Sequence, residues 1–201
     1  MPVPWLRVDF ALWGIFLLVW AVAAPFSRKT VRKEPIRARL RYGALGAIAA
    51  LLLSPALSIP LLDRPALRDA HRAGHLLLVP GSIGALSVCL TALGVSFAIW
   101  ARFTLGRNWS GTVTVKENHT LVQNGPYALV RHPIYTGIFV GVTGMFLGMG
   151  IGPLRLLLGL LPLLLSFRFK MATEERFMTE QFGEAYGAYR RRVKALIPFL
   201  W

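Results

Sequence analysis

Five apolar stretches, near residues 10–26, 43–62, 76–101, 133–151 and 153–169, each approach the length that crosses a bilayer. A hydrocarbon core of about 30 Å takes roughly 20 residues of helix, and a helix is one of the few structures that satisfies its backbone hydrogen bonds internally in lipid. The predicted fold is therefore all-α and integral to the membrane, with about five transmembrane helices. Composition agrees: 55% of the 201 residues are hydrophobic and 16% are charged, with a mean hydropathy of +0.53, which is too apolar for a soluble domain of this size. The first stretch is short and carries Trp13 and Trp20, so a secretory leader is its rival reading. No small-residue cleavage site follows Pro25, whereas a basic run does, and an anchoring helix is expected.

A net charge of +14 would suit a nucleic-acid partner if the charge were evenly spread, but it is not. All but five of the 23 Lys and Arg fall in the loop after the first stretch, the loop between the third and fourth, and the tail; the five others are Arg7, Arg64, Arg68, Arg72 and Arg155. By the positive-inside rule the N-terminus is expected outside and the C-terminus in the cytoplasm. The basic loop from Arg28 to Arg41 is expected to lie on anionic lipid headgroups, with membrane lipids as partners and no nucleic acid. Cys89 is the single cysteine and lies within an apolar stretch, where it reads as a small buried hydrophobe; no disulfide or cysteine-based metal site is possible within the chain. His71 and His75 are four apart but lack a third ligand, so no metal site is predicted. No Gly-rich phosphate loop follows a strand-like run, which excludes a soluble Rossmann domain.

Ser54-Pro55 and Pro60 should kink the second span or end it early. The third is rich in small residues, among them Gly84, Ser87, Thr91 and Gly94, and should pack centrally, or against a second copy in a homo-oligomer. Gly148, Gly150, Gly152 and Pro153 form a turn, so spans four and five should make a tight antiparallel hairpin. That hairpin would bring His132 and Glu174 to one membrane face. Beyond Glu174, apolar residues recur at Met178, Phe182, Tyr186, Tyr189 and Val193, the spacing of an amphipathic surface helix, which Gly183 and Gly187 should break into two pieces.

Two polar patches interrupt this apolar chain: HTLVQNGPYALVRHPIYTG, from His119 to Gly137, and Glu174-Glu175. Pro133 suits the first turn of a helix, and the free amides there, with Arg131 and His132, would favour a carboxylate or phosphate. Asn124-Gly125-Pro126-Tyr127 is a turn by composition; it would fold the preceding HTLV segment back against the helix start, where exposed backbone can meet a nucleobase edge. Taken alone, each piece is equally well explained as a helix cap. Adjacent glutamates on a helix point about 100° apart, so one is expected to face a pocket and the other solvent. The pocket glutamate would suit an amine, a ribose hydroxyl pair, or Lys170 one turn earlier.

The order HTLV, GPY, RHPIYTG, an apolar hairpin, Glu174-Glu175, FGEAYGAY and Ile197-Pro198 resembles the isoprenylcysteine carboxyl methyltransferase family and the related membrane phospholipid methyltransferases, over about residues 119–201. The resemblance implies an S-adenosyl-L-methionine-dependent methyltransferase acting on a lipophilic acceptor: a prenylcysteine-like carboxylate, a phospholipid amine or another membrane-soluble molecule. It further implies cofactor contacts at His119, Thr120, Leu121, Val122, Tyr127, His132, Pro133, Ile134, Tyr135 and Glu174, with Glu174 also among the catalytic residues. Where the eukaryotic enzymes carry an arginine for the substrate carboxylate, this chain has Lys170; Arg168, two residues earlier, is the alternative. Residues 1–104 would then be an N-terminal region of three spans, and 105–201 the catalytic region, with the active site cytoplasmic. The competing expectations are a membrane-embedded NADPH-dependent lipid or sterol reductase and a non-enzymatic membrane scaffold.

Overall fold

The computed structural model describes residues 4–54 and 79–198. Among the described residues six α-helices carry the fold: α1 (Pro4–Ala23), α2 (Ile36–Leu53), α3 (Gly81–Leu105), α4 (Pro133–Gly148), α5 (Pro153–Phe182) and α6 (Glu184–Arg192). Three segments of the described residues, Pro4–Phe26, Gly81–Asn108 and Pro153–Phe182, are long and apolar enough to cross a membrane. Of the other two expected spans, α4 has 16 residues, and α2 starts at Ile36 rather than near 43, carrying Arg37, Arg39 and Arg41 into its first turns. The helix α2 ends at Leu53, with Ser54 as its cap, in line with the Ser54-Pro55 stop. Pro60, the loop from Leu62 and both His71 and His75 lie outside the described residues. No cluster of potential metal ligands occurs among the described residues.

The small residues of α3 do what their size permits. On its buried face Gly84 takes the Trp5 ring of α1, while Ser87, Thr91, Gly94 and Ala98 meet a row of glycines on α4, Gly137, Gly141, Gly144 and Gly148. A Cβ on Gly94 would fall 2.4 Å from the Gly137 carbonyl oxygen, and one on Gly137 would fall 2.5 Å from that of Gly94, so the two backbones are in direct contact. Here the expectation of a tight hairpin needs correcting. The Gly150 turn is as predicted, with φ +71°, and Pro153 opens α5. Yet α4 packs chiefly on α3, and α5 chiefly on α2, because the glycines that allow close approach face the neighbours rather than each other. Cys89 also departs from expectation, since it is exposed on the outer face of α3.

Two arginines hold the helix ends. Buried Arg155 donates from Nε to the Leu52 carbonyl (2.8 Å) and from a terminal nitrogen to that of Ser54, covering the open end of α2. Arg102 donates to the Ala23 carbonyl (2.7 Å) at the end of α1 while stacking over Trp109. Both supply the donors that the last turn of a helix lacks.

The fold is not wholly helical. Strand β1 (Thr30–Lys33) pairs antiparallel with β2 (Thr114–Lys116), tying the basic loop after α1 to the segment after α3. Sequence had assigned that loop to lipid headgroups alone. Gly183, at φ +51°, ends α5 as expected, but Gly187 sits inside α6 without breaking it. The chain then returns beside the start of α4: the amides of Arg131 and His132 donate to the carbonyls of Lys194 (2.8 Å) and Ala195 (3.0 Å).

Candidate active site

At the polar end of the α4–α5 pair lies a cavity of about 410 Å³, within the range that holds a drug-sized ligand. Most of the residues singled out in the sequence meet there: His119, Thr120, Leu121, Val122, Tyr127, His132, Pro133, Ile134, Tyr135, Lys170 and Glu174 all line it. Arg168 does not. It lines a separate cavity on the far side of α5 with Met171 and Glu175, because two residues of helix turn it about 200° from Lys170.

His132 organises the site. As the cap of α4 it stands between both glutamates of α5, with Nδ1 3.4 Å from Glu174 and Nε2 3.2 Å from Glu175. Glu174 also accepts the Tyr135 hydroxyl at 2.5 Å. Glu175, expected in solvent, instead accepts two bonds from Arg131, at 2.6 and 2.9 Å. The two carboxylates do diverge as helical geometry requires, but the imidazole reaches both. Burial alone lowers the pKa of His132, and hydrogen bonds and charge from Glu174 and Glu175 more than offset it, leaving it above the ordinary histidine value.

The anion site expected at the start of α4 is smaller than sequence implied. The Arg131 guanidinium is committed to Glu175, and the Arg131 and His132 amides to the C-terminal segment. In the first turn the Thr136 amide bonds the His132 carbonyl, and the amides of Ile134 and Tyr135 have no backbone acceptor among the described residues. The HTLV segment is held from below, where Asn108 Nδ2 donates to Thr120 Oγ1 at 2.9 Å, and His119 meets the Phe182 ring edge-on. Lys170 extends across the cavity to the Gly111 carbonyl (3.1 Å), with its ammonium 5.4 Å from the Tyr135 ring centre.

Several lining residues were missed. Trp109 to Thr114 form one wall, Trp20 of α1 adds to it, and Tyr186 and Tyr189 of α6 close another. Tyr189 donates to the Tyr127 carbonyl at 2.6 Å, and burial pushes its pKa up to about 12, so it serves as a neutral donor. Burial likewise raises Tyr127 and Tyr186. The aromatic spacing in FGEAYGAY signalled a buried face without saying what it covered. Nothing in the sequence marked 109–114, whose position depends on pairing with β1.

The phospholipid methyltransferase family model matches residues 83–185. The protein-S-isoprenylcysteine O-methyltransferase of Schizosaccharomyces pombe is 37% identical over 97 residues, which cover 47% of this chain and 41% of that protein. The cobalt-zinc-cadmium resistance protein CzcN of Cupriavidus metallidurans is 36% identical over 124 residues, covering 59% and 52%. The chain thus spans about half the length of the curated relatives it matches. Among solved structures, a eukaryotic intramembrane Ras methyltransferase, isoprenylcysteine carboxyl methyltransferase, aligns with a TM-score of 0.53 at 21% identity, over 97% of this chain and 85% of that one. That likeness shows a shared membrane fold.

Proposed function

The chain belongs to the phospholipid methyltransferase family, and from that premise we propose that it is a membrane methyltransferase that takes its methyl group from S-adenosylmethionine and delivers it to a lipophilic acceptor of the prenylcysteine carboxylate class. The observation that carries this reading is the meeting of His119–Val122, His132–Tyr135 and Glu174 around one 410 Å³ cavity. The donor set fits the cofactor. Glu174 offers a carboxylate for an amino group, the Ile134 and Tyr135 amides suit a carboxylate, and the HTLV backbone suits a nucleobase edge. When bound, S-adenosylmethionine supplies a methyl activated on a sulfonium.

The chain's own residues do the positioning. His132 and Tyr135 keep Glu174 aimed, and Arg131 with Glu175 fixes His132 from behind. Lys170 is the cation available to an acceptor carboxylate inside the cavity, so we assign it the role for which sequence had weighed Arg168. Trp109, Tyr186 and Tyr189 exclude water, which favours a reaction in which opposite charges combine. Holding two reactants in line accounts for roughly 7–11 kcal/mol of catalysis in favourable cases. A carboxylate acceptor needs no general base. Residues 105–201 form the catalytic region on a scaffold made by 1–104, with the C-terminus and active site cytoplasmic, as the charge bias supports.

The test is transfer of label from methyl-labelled S-adenosylmethionine to a panel of farnesylcysteine, geranylgeranylcysteine and phosphatidylethanolamine. Base-labile label on a prenylcysteine supports the reading. Label on phosphatidylethanolamine alone would replace the acceptor class, and no transfer to any lipid would overturn the activity.

A further inference from the structure

A second cavity, of about 320 Å³, shares only Arg131 with the first. Arg131, Arg168, Arg190 and Lys194 surround it, and Glu175 is its single carboxylate. That carboxylate is already engaged: one oxygen serves Arg131 and His132, and the other lies 3.7 Å from Arg190. Among the described residues, the side chains of Arg168 and Lys194 make no hydrogen bond or ion pair, and both are exposed. Cations held around a cavity with too little negative charge to balance them make a site for an oxyanion.

The surroundings indicate where that anion comes from. On α5 the residues Leu154, Leu158, Leu161 and Leu165 recur at helical spacing and are exposed, and the same row continues through Arg168 into the cavity at Ala172 and Glu175. An apolar stripe long enough for an acyl chain therefore ends at the cationic cavity. We propose that this cavity binds the phosphate of an anionic membrane lipid, with an acyl chain lying along the leucine row of α5.

The full chain, equilibrated in equimolar phosphatidylcholine and phosphatidylglycerol and then purified, provides the test by mass spectrometry of the retained lipid. The readout involves no methyl transfer, so its failure and that of the proposed activity are separable. Phosphatidylglycerol is expected to be enriched. Each basic residue near an anionic surface contributes roughly fivefold, so Lys194→Gln should lower the enrichment about fivefold and the pair Arg168→Gln with Lys194→Gln at least tenfold. Arg191→Gln, which removes an exposed cation outside the cavity, should leave it unchanged. Undiminished enrichment in the double variant, or an equal loss in the Arg191 variant, would overturn the proposal. Inorganic phosphate serves as the competing probe: failure to displace the lipid supports a lipid site, whereas complete displacement assigns the cavity to a soluble anion and overturns it.

Discussion

The two ends of α4 bury carboxylates in opposite ways. At the end near Gly148, Asp9 of α1 is fully enclosed; it accepts a bond from Ser87 Oγ at 3.0 Å, and a Cβ on Gly148 would fall 2.8 Å from its Oδ2. No ion pair reaches it among the described residues, and its Oδ1 has no hydrogen-bond partner. At the His132 end, Glu174 and Glu175 share His132 beside a cavity, with Tyr135 bonded to the first and Arg131 to the second. Both ends are buried and polar, but only one combines positive partners with room for a ligand. Burial of an acid thus accompanies close packing at one end of the helix and an open cavity at the other.

Filling the closed end should produce the largest effect. Gly144→Leu places a Cβ 2.7 Å from the Ser87 carbonyl and Thr91 amide, where backbone must move, and should destabilise by about 3 kcal/mol or more; thermal unfolding in detergent reads this as a lost or sharply lowered transition. At the open end, Glu174→Gln keeps the shape but loses the charge. S-adenosylhomocysteine binding, measured by calorimetry, should weaken ten- to a hundredfold, the span of about 1.5–3 kcal/mol for a hydrogen bond to a charged group. Glu175→Gln should cost about 1–3 kcal/mol of stability, since it leaves the Arg131 guanidinium largely buried without its partner.

The pH response separates the two ends further. His132 is raised above its ordinary value in the fold, so its stabilising contribution is complete below the unfolded histidine pKa and is lost as pH climbs through the raised value. Unfolding temperature should fall across that interval, and Glu175→Gln should flatten the slope. The smallest effect is expected from Asp9→Asn, which retains an acceptor for Ser87: transfer activity should stay within about twofold and stability within about 1 kcal/mol. A large loss of activity in that variant would erase the distinction between the ends.

Much of this was legible in the sequence where local chemistry decides structure. Pro133 and Pro153 open their helices, Gly150 and Gly183 turn the chain, and the small residues of α3 pack as their size dictates. His132 and Glu174 meet as the short connection implied. What sequence did not show depends on distant partners. Glu175 looked like a solvated neighbour because Arg131 is 44 positions away. The wall at Trp109–Thr114 exists because Glu34 and β1 pair with it, the Glu34 amide donating to the Val113 carbonyl at 3.0 Å. Arg168 and Lys170, nearly equivalent candidates in one dimension, are assigned to different cavities by helical phase alone.

In the proposed function one cavity, closed by Glu174, holds the methyl donor. The decisive experiment is equilibrium dialysis of labelled S-adenosylhomocysteine against the wild-type chain and Glu174→Gln, with NADPH as competitor. Binding to the wild type is expected to be saturable, undisplaced by NADPH and weakened at least tenfold by the substitution. Absence of binding, displacement by NADPH, or equal affinity in the variant would contradict it.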